Sequence, residues 1–304
     1  TRNWREYRLD IHADVLKIKA HEATTGLSLP PVGGGKRGAI RGFSRQSRKR
    51  MIEFMACTRT RGQLLFSTFT YPANFPVGQP DVWIDHFEAL RRRIERKYPN
   101  YSIIWRKELK PKLSGSTRGK LCPHYHMIID TGVSGKPDIT VEHVFNRGEI
   151  KEKCVSALSE EFEAWALQNW YEIVGSEDEY HLQRGNFTVA CRNKRHAYKY
   201  VSKYVAKVDF DEYEVGRRWG RIGQWDVSSS GSLFLTQKEY IELMRLVVRW
   251  MKSKGQDYAK HLAKMKRSVG CTLFGLGDLA RSGDLYQRMI NHASQLAGEL
   301  PQIE

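Results

Sequence analysis

The chain has 304 residues, of which 40% are hydrophobic and 28% charged, and its formal net charge is +16 at neutral pH. This composition is typical of one large or two smaller globular domains, and the basic excess indicates a polyanionic partner, most often nucleic acid. No apolar run is long enough for a transmembrane helix, and the first residues lack the apolar core of a secretory signal.

The basic charge begins in the N-terminal part of the chain. Residues 36–61 contain nine Lys or Arg residues and one acidic residue, Glu53. The stretch "SRQSRKRMIEFMAC" predicts a basic helix that Ser44 caps. Its cations are expected to contact DNA phosphates, unless the charge serves only solubility. The residues concerned are Arg45, Arg48, Lys49 and Arg50. The preceding loop "PPVGGGKRG" does not meet the phosphate-loop pattern, so no nucleotide cofactor is expected.

The middle of the chain alternates strand and helix patterns. Period-two runs rich in aromatic and β-branched residues predict strands, and apolar residues spaced three or four apart predict helices. In chain order these are a strand at 63–72, a helix at 81–98 capped by Asp81, strands at 101–109 and 122–130, a helix at 156–170, a strand at 185–192 and a helix from 194. This order predicts an α+β, ferredoxin-like (RRM-like) antiparallel sheet with helices on one face. Its first and third strands would be central, and the second would pair with the third.

The C-terminal part gives a weaker pattern of mixed loops followed by helices. A T-x-x-E capping box at Thr236–Glu239 predicts a helix to about residue 252, and two more helices are expected near 256–267 and 284–299. The sequence therefore suggests three regions. They are a basic N-terminal region at 1–60, a core at 61–210 and a smaller, mainly helical region at 211–304.

Two histidines one residue apart stand in "CPHYHMIID". On a strand His124 and His126 project from the same face, about 6.6 Å apart, and Tyr125 projects from the opposite face. If the two flanking strands form a hairpin, Glu108 lies opposite His124, whereas Asp130 lies too far along the strand. Two histidines and one carboxylate suit a catalytic divalent ion, Mg²⁺ or Mn²⁺. The alternative is a strand with two structural histidines.

The helix after residue 194 carries the repeat "YVSKYVAK". Helical spacing places Tyr200, Lys203, Tyr204 and Lys207 on one face. A tyrosine oxygen can form a covalent phosphodiester, and lysine can neutralise phosphate charge. An ordinary DNA-binding surface would use the same residue types. Lys194, Arg195 and Lys199 belong to the same basic run and are expected to contact DNA.

Together these segments resemble the HUH endonucleases, named for histidine-hydrophobic-histidine, and more narrowly the rolling-circle replication initiators of single-stranded DNA phages and related plasmids. "LLFSTFTYP", "PHYHMIID" and the two-tyrosine "YVSKYVAK" resemble three family motifs in the family's order, and "RRWGRIGQW" resembles a later phage segment. The resemblance covers about residues 44–225.

The resemblance implies a sheet of the HUH nuclease type and a metal-dependent nickase that cuts one DNA strand at a replication origin. His124, His126 and Glu108 would hold Mg²⁺ or Mn²⁺, and Tyr200 and Tyr204 would become linked to the 5′-phosphate. The protein would act in the cytoplasm of a bacterial host, with a host helicase and polymerase as partners. It would not bind a membrane. Five scattered cysteines without a C-x-x-C pair also indicate free thiols in a reducing compartment.

Two other functions stay open. One is a non-enzymatic DNA- or RNA-binding protein on a ferredoxin-like sheet, although the glycine-aromatic strand signature of RNA-recognition domains is absent from the sequence. The other is a transposase or plasmid relaxase of the HUH superfamily. Relaxases of that kind usually carry a three-histidine cluster, which the sequence does not show.

Overall fold

The computed structural model describes residues 5–12, 15–22, 42–113, 115–135, 138–146, 149–205, 213–227, 231–253 and 270–274. The chain divides into two compact units. Unit 1 takes Thr1–Gly35, Ile52–Arg59 and Asp226–Glu304, and unit 2 takes Lys36–Met51 and Thr60–Trp225. Both ends of the chain thus contribute to unit 1, and a boundary after residue 210 falls inside unit 2. The fold is α+β, with antiparallel sheets and helices packed on them.

Unit 2 is built on a five-stranded antiparallel sheet with the strand order β8-β3-β5-β4-β9. The strands are β3 (Leu64–Thr70), β4 (Ser102–Pro111), β5 (Leu121–Asp130), β8 (Asn186–Cys191) and β9 (Trp219–Ile222). Four of these five strands were predicted from the sequence. Their expected pairing is confirmed, because β3 and β5 lie side by side in the centre and β4 pairs with β5. The edge strand β9 was not predicted.

The first face of this sheet is covered by helices α2 (Pro80–Lys97) and α3 (Ala157–Ile173). Apolar residues at helical spacing on α2 meet alternate residues of the strands, and together they form one buried core. The predicted helix at 156–170 is confirmed as α3, which Ser156 caps by accepting a hydrogen bond from the Ser159 amide. The predicted cap of α2 is wrong. The helix begins at Pro80, whose fixed φ suits a first position, so Asp81 lies inside the first turn.

The second face of the sheet is covered by α5 (Lys194–Val205) and by the first half of α1 (Arg45–Cys57). Helices therefore lie on both faces, not on one as expected. This face also carries apolar side chains, whose removal from water is favourable. Phe66, Ile104 and Ile128 are among them, and all three are buried. The predicted serine cap of α1 is confirmed, because the Ser47 amide donates to Ser44 Oγ at 3.2 Å.

Other parts of unit 2 were not predicted. Strands β6 (Thr140–Asn146) and β7 (Glu149–Val155) form a separate two-stranded sheet, and a short helix α4 (Glu179–Arg184) precedes β8.

Four cysteines of the described residues are buried free thiols, as the sequence indicated for the chain. They are Cys57, Cys122, Cys154 and Cys191.

Unit 1 contains a four-stranded antiparallel sheet with the order β10-β1-β2-β11. Its elements are β1 (Arg5–Ile11), β2 (Val15–Glu22), β10 (Gly231–Leu235), α6 (Gln237–Ser253) and β11 (Gly270–Phe274). The capping box of α6 is confirmed, since Glu239 accepts from the Thr236 amide at 2.6 Å. The four strands were not predicted, and the helices expected near 256–267 and 284–299 lie outside the described residues. Among the described helices none has the length and apolar character needed to cross a membrane.

Candidate active site

The β4–β5 hairpin brings three predicted site residues together. The register pairs Glu108 with His124 and Arg106 with His126, so the predicted pairing of Glu108 is confirmed. The rings of His124 and His126 lie nearly parallel, with centroids 6.4 Å apart. Tyr125 projects from the first face, where its hydroxyl donates to the Trp83 carbonyl at 2.8 Å. The two histidines therefore share the second face, as strand alternation requires.

The hydrogen bonds of His126 define its tautomer. Its Nε2 lies 2.9 Å from Glu108 Oε2, and its Nδ1 lies 3.0 Å from Thr68 Oγ1 on the neighbouring strand β3. Because an ionised carboxylate only accepts, Nε2 carries the proton and donates it to Glu108. The Thr68 hydroxyl then donates to Nδ1. Both nitrogens of this buried imidazole are engaged, which fixes the plane of the ring.

Burial and hydrogen bonds together set the charges of the three groups. It lowers the pKa of His124 to about 3 and that of His126 to about 4. Burial opposes ionisation of Glu108, but hydrogen bonds from His126 and Lys110 outweigh it and lower the pKa of Glu108 to about 2. At neutral pH the site therefore presents two neutral imidazoles and one carboxylate. Neutral imidazoles and an ionised carboxylate are the charge states that a metal ion requires of its ligands.

The donor set suits a divalent ion chemically, but two of its members, Glu108 and His126, bond to each other. Within the part of the chain that the structure describes, no three His, Cys, Asp or Glu side chains form a ready metal site. Glu108 Oε2 instead contacts His126 Nε2 and, at 2.8 Å, Lys110 Nζ. An ion would have to replace these contacts, and the metal-binding role of His124, His126 and Glu108 stays a prediction.

Tyr200 of α5 lies over the second face. Its ring stacks on Phe66 with centroids 4.5 Å apart and planes 9° apart, and Phe66 in turn lies 6.1 Å from the ring of His126. The tyrosine is half-buried, and burial raises the pKa of its hydroxyl. One predicted nucleophile and the paired histidines therefore share one face of the sheet, joined through the ring of Phe66.

The other members of the tyrosine–lysine stripe are less fully described. The backbone of Lys199, Lys203 and Tyr204 belongs to α5, but their side chains lie outside the described residues, and so does the whole of Lys207. The helix itself confirms that Tyr200, Lys203 and Tyr204 have the spacing of one helical face. Their chemical roles stay predictions.

The basic half of α1 is attached to the second face close to the histidines. The Arg106 guanidinium lies 4.7 Å from the ring centre of Phe43, just before the helix, and Trp219 Nε1 donates to Ser47 Oγ at 2.9 Å. Met51 and His126 line the same small cavity. The predicted DNA contacts of this helix therefore start from a segment packed beside the candidate site.

The predicted DNA-binding cations differ in their surroundings. Arg45, Lys49 and Arg50 are exposed, whereas Arg48 is half-buried and donates to the Phe43 carbonyl at 2.9 Å. Arg48 therefore also fixes the start of α1. On α5, Arg195 is exposed and Lys194 is half-buried. Lys194 Nζ lies 5.4 Å from the ring centre of Tyr198.

Three residues of the site were missed in the sequence. Thr68 and Lys110 bond directly to His126 and Glu108, and buried Arg106 lies 3.9 Å from Glu108. Side-chain alternation along β4 could have identified Arg106 and Lys110, because each lies two residues from Glu108 and projects from the same face. Asp130, which the sequence excluded, is a structural residue. Its carboxylate accepts from the backbone amides of the two loops that flank it.

No protein-family model, curated protein or solved structure matches the chain. The feature that indicates a function is the common face shared by two neutral histidines, a charged glutamate and a tyrosine on a basic helix.

Proposed function

We propose that the protein is a metal-dependent enzyme that nicks and rejoins single-stranded DNA and initiates rolling-circle replication of a phage or plasmid. The observation that carries the proposal is the placement of Tyr200, His126 and Glu108 on one face of one sheet. In this reading the sheet is ferredoxin-like and of the HUH type. The order β8-β3-β5-β4, with the first and third predicted strands in the centre, supports that assignment.

The proposed reaction is a transesterification. The tyrosine gives up its proton, and its oxygen forms a bond to the scissile phosphorus. The bond from phosphorus to the 3′ oxygen breaks, and that oxygen leaves with a proton as a 3′-hydroxyl group. The 5′-phosphate stays on the tyrosine, so the bond energy is kept for rejoining and no nucleotide cofactor is needed.

His124, His126 and Glu108 would hold a Mg²⁺ or Mn²⁺ ion, which when bound would polarise the scissile phosphate and stabilise its developing charge. The neutral state of both imidazoles and the charge of Glu108 support this role. Thr68 would keep the ring of His126 in one orientation.

Tyr200 and Tyr204 would be the nucleophiles, and Lys203 and Lys207 would neutralise phosphate charge beside them. Because burial raises the pKa of Tyr200, its hydroxyl is protonated in the resting protein, and its proton must leave during attack. Nearby ammonium groups favour the phenolate form, which is the physical reason for lysines in the same stripe.

Single-stranded origin DNA would lie along the basic half of α1 and the start of α5. The exposed charges of Arg45, Lys49 and Arg50 support this path, because they contact no carboxylate in the described part of the chain. A host helicase and polymerase would act on the freed strand and on the 3′-hydroxyl.

A second candidate function is nucleic-acid binding without catalysis. It is favoured by Phe187 on β8, which is 41% exposed and stands opposite Thr68 on the second face. Exposed aromatic residues on a sheet can stack unpaired bases, as RNA-recognition domains do. A stacking residue would also serve the nickase, so only the chemistry separates the two functions.

The test is formation of a covalent adduct. Purified protein is incubated with Mn²⁺ and a pool of single-stranded oligonucleotides, and denaturing gels detect protein that carries DNA. We expect an adduct with the wild-type protein, none with His126→Ala, and retained DNA binding by that variant, since affinity comes from phosphate contacts. Full adduct formation after chelation and dialysis would contradict a metal-dependent reaction.

A further inference from the structure

Lys110 is part of the candidate site although no motif includes it. We propose that its ammonium group is a built-in cation that competes with the metal ion for Glu108. When the ion binds, it replaces the ammonium group of Lys110 at the carboxylate of Glu108. The inference rests on the proposed function and deepens it, because it concerns how the same site controls metal affinity.

The contact that supports the proposal involves a single buried oxygen. Lys110 Nζ lies 2.8 Å from Glu108 Oε2, and His126 Nε2 lies 2.9 Å from that same oxygen. The side chain of Glu108 is 2% exposed. The charge of this carboxylate is therefore balanced by contacts within the protein, which is what a buried charge needs to be tolerated.

The contacts that Lys110 and His126 make with Glu108 differ in how easily they can be broken. The side chain of Lys110 is 31% exposed, whereas that of His126 is 5% exposed and is also bound by Thr68. A lysine side chain has a long flexible stem and a strongly hydrated head, so it can turn outward into water. The buried imidazole of His126 would stay in place, and the ion would replace Glu108 as the partner of its Nε2.

Electrostatic repulsion makes the exchange necessary. An ion held by Glu108 would add two positive charges close to an ammonium group that bonds to the same carboxylate. Like charges a few ångströms apart repel each other strongly even at an effective dielectric constant of about 20. Lys110 must therefore leave Glu108 when the ion arrives, and the released ammonium group becomes available to a DNA phosphate.

The first test measures metal binding without DNA. Free Mn²⁺ is followed by electron paramagnetic resonance during titration of wild type, Lys110→Met, Lys110→Arg and the control Lys120→Met. Lys120 is exposed, lies in the same hairpin and undergoes the same change of charge. We expect Lys110→Met to bind Mn²⁺ on the order of tenfold more tightly. Lys110→Arg, which keeps the cation, and Lys120→Met should stay close to wild type.

The second test uses the wild-type protein and does not depend on a variant that folds. Reductive methylation of lysines is followed by mass spectrometry with and without Mg²⁺. We expect Mg²⁺ to increase the labelling rate of Lys110 severalfold and to leave that of Lys120 unchanged. Equal labelling of Lys110 in both conditions, or a Kd for Lys110→Met no tighter than wild type, would overturn the inference.

The outcomes separate this inference from the proposed function. A wild-type protein that binds Mn²⁺ and forms the DNA adduct, with no tightening in Lys110→Met, contradicts only the competition by Lys110. Absence of Mn²⁺ and Mg²⁺ binding in wild type and Lys110→Met alike contradicts both the competition and the metal-dependent function.

Discussion

Replacing Thr68 with valine would test how the site orients His126. The Thr68 hydroxyl lies 3.0 Å from His126 Nδ1, across the β3–β5 pair. Valine has nearly the same shape and an equally good strand propensity, so the substitution removes the hydroxyl and little else. The imidazole keeps its bond to Glu108 but loses the partner that fixes its second nitrogen.

The expected magnitude follows from burial. A hydrogen bond of this kind contributes about 1 kcal/mol, and a buried acceptor left without a donor costs about 1–3 kcal/mol. His126 is 5% exposed, so water cannot replace the hydroxyl freely. We expect Thr68→Val to lower the free energy of unfolding by about 1–3 kcal/mol. Loss of the partner that orients a metal-binding imidazole should also weaken Mn²⁺ binding about 10–100-fold.

The matched control is Thr70→Val, two residues along the same strand face. Thr70 stands opposite His124 in the register, and its hydroxyl makes only a marginal bond, at 3.5 Å to the Gly185 carbonyl. Urea unfolding of metal-free protein and Mn²⁺ titration would be compared for both variants. If Thr68→Val matched Thr70→Val within about 0.5 kcal/mol and in Mn²⁺ affinity, the hydroxyl would not orient the site.

Three further predictions concern DNA affinity, acid stability and the core. Changing Arg45, Lys49 and Arg50 together to glutamine should reduce the salt dependence of single-stranded DNA binding by a slope of about 2, and an unchanged slope would make them ordinary solvated charges. Burial lowers the pKa of His181, so the free energy of unfolding should decrease as the pH falls below about 6.5, where only the unfolded state gains the proton. Buried His124 and His126 contribute to the same decrease, so His181→Gln should remove only a part of it in urea titrations, and an equal decrease in both proteins would exclude a contribution from His181. Tyr125→Phe should cost about 1 kcal/mol in urea unfolding yet form the DNA adduct normally, whereas loss of the adduct would place Tyr125 in the site.

The hairpin of the site could be predicted closely because it depends on local rules. Side-chain alternation placed His124 and His126 on one face and Tyr125 on the other. The expectation that the two flanking strands form a hairpin was enough to pair Glu108 with His124, as the register confirms. The apolar periodicity of α2 and α3 predicted the helices, although the start of α2 depends on Pro80 and not on Asp81.

The remainder of the site depends on contacts between residues far apart in sequence. Thr68 reaches His126 only because β3 lies beside β5 in a particular register, 58 residues away. Trp219 bonds to Ser47 across 172 residues, on a strand that the sequence did not indicate. Such contacts arise from tertiary packing and leave no local pattern in the sequence.

The strands of unit 1 show the same limit. β10 and β11 pair with the N-terminal strands β1 and β2, more than 200 residues away in the chain. The sequences of these strands are short and have no strong turn signals beside them. Periodicity alone therefore did not distinguish these strands from loops. The long-range pairing supplies the hydrogen-bond partners that make these segments strands.

The most direct test of the central claim is to identify the amino acid that carries the DNA. Wild-type protein that has reacted with Mn²⁺ and an oligonucleotide would be digested with protease and nuclease, and the peptide spanning α5 would be sequenced by mass spectrometry. We expect a 5′-nucleotide on Tyr200 or Tyr204, and no adduct in the double variant Tyr200→Phe and Tyr204→Phe, which keeps the rings and removes only the oxygens. A nucleotide attached to any other residue, or an adduct formed by the double variant, would contradict the account.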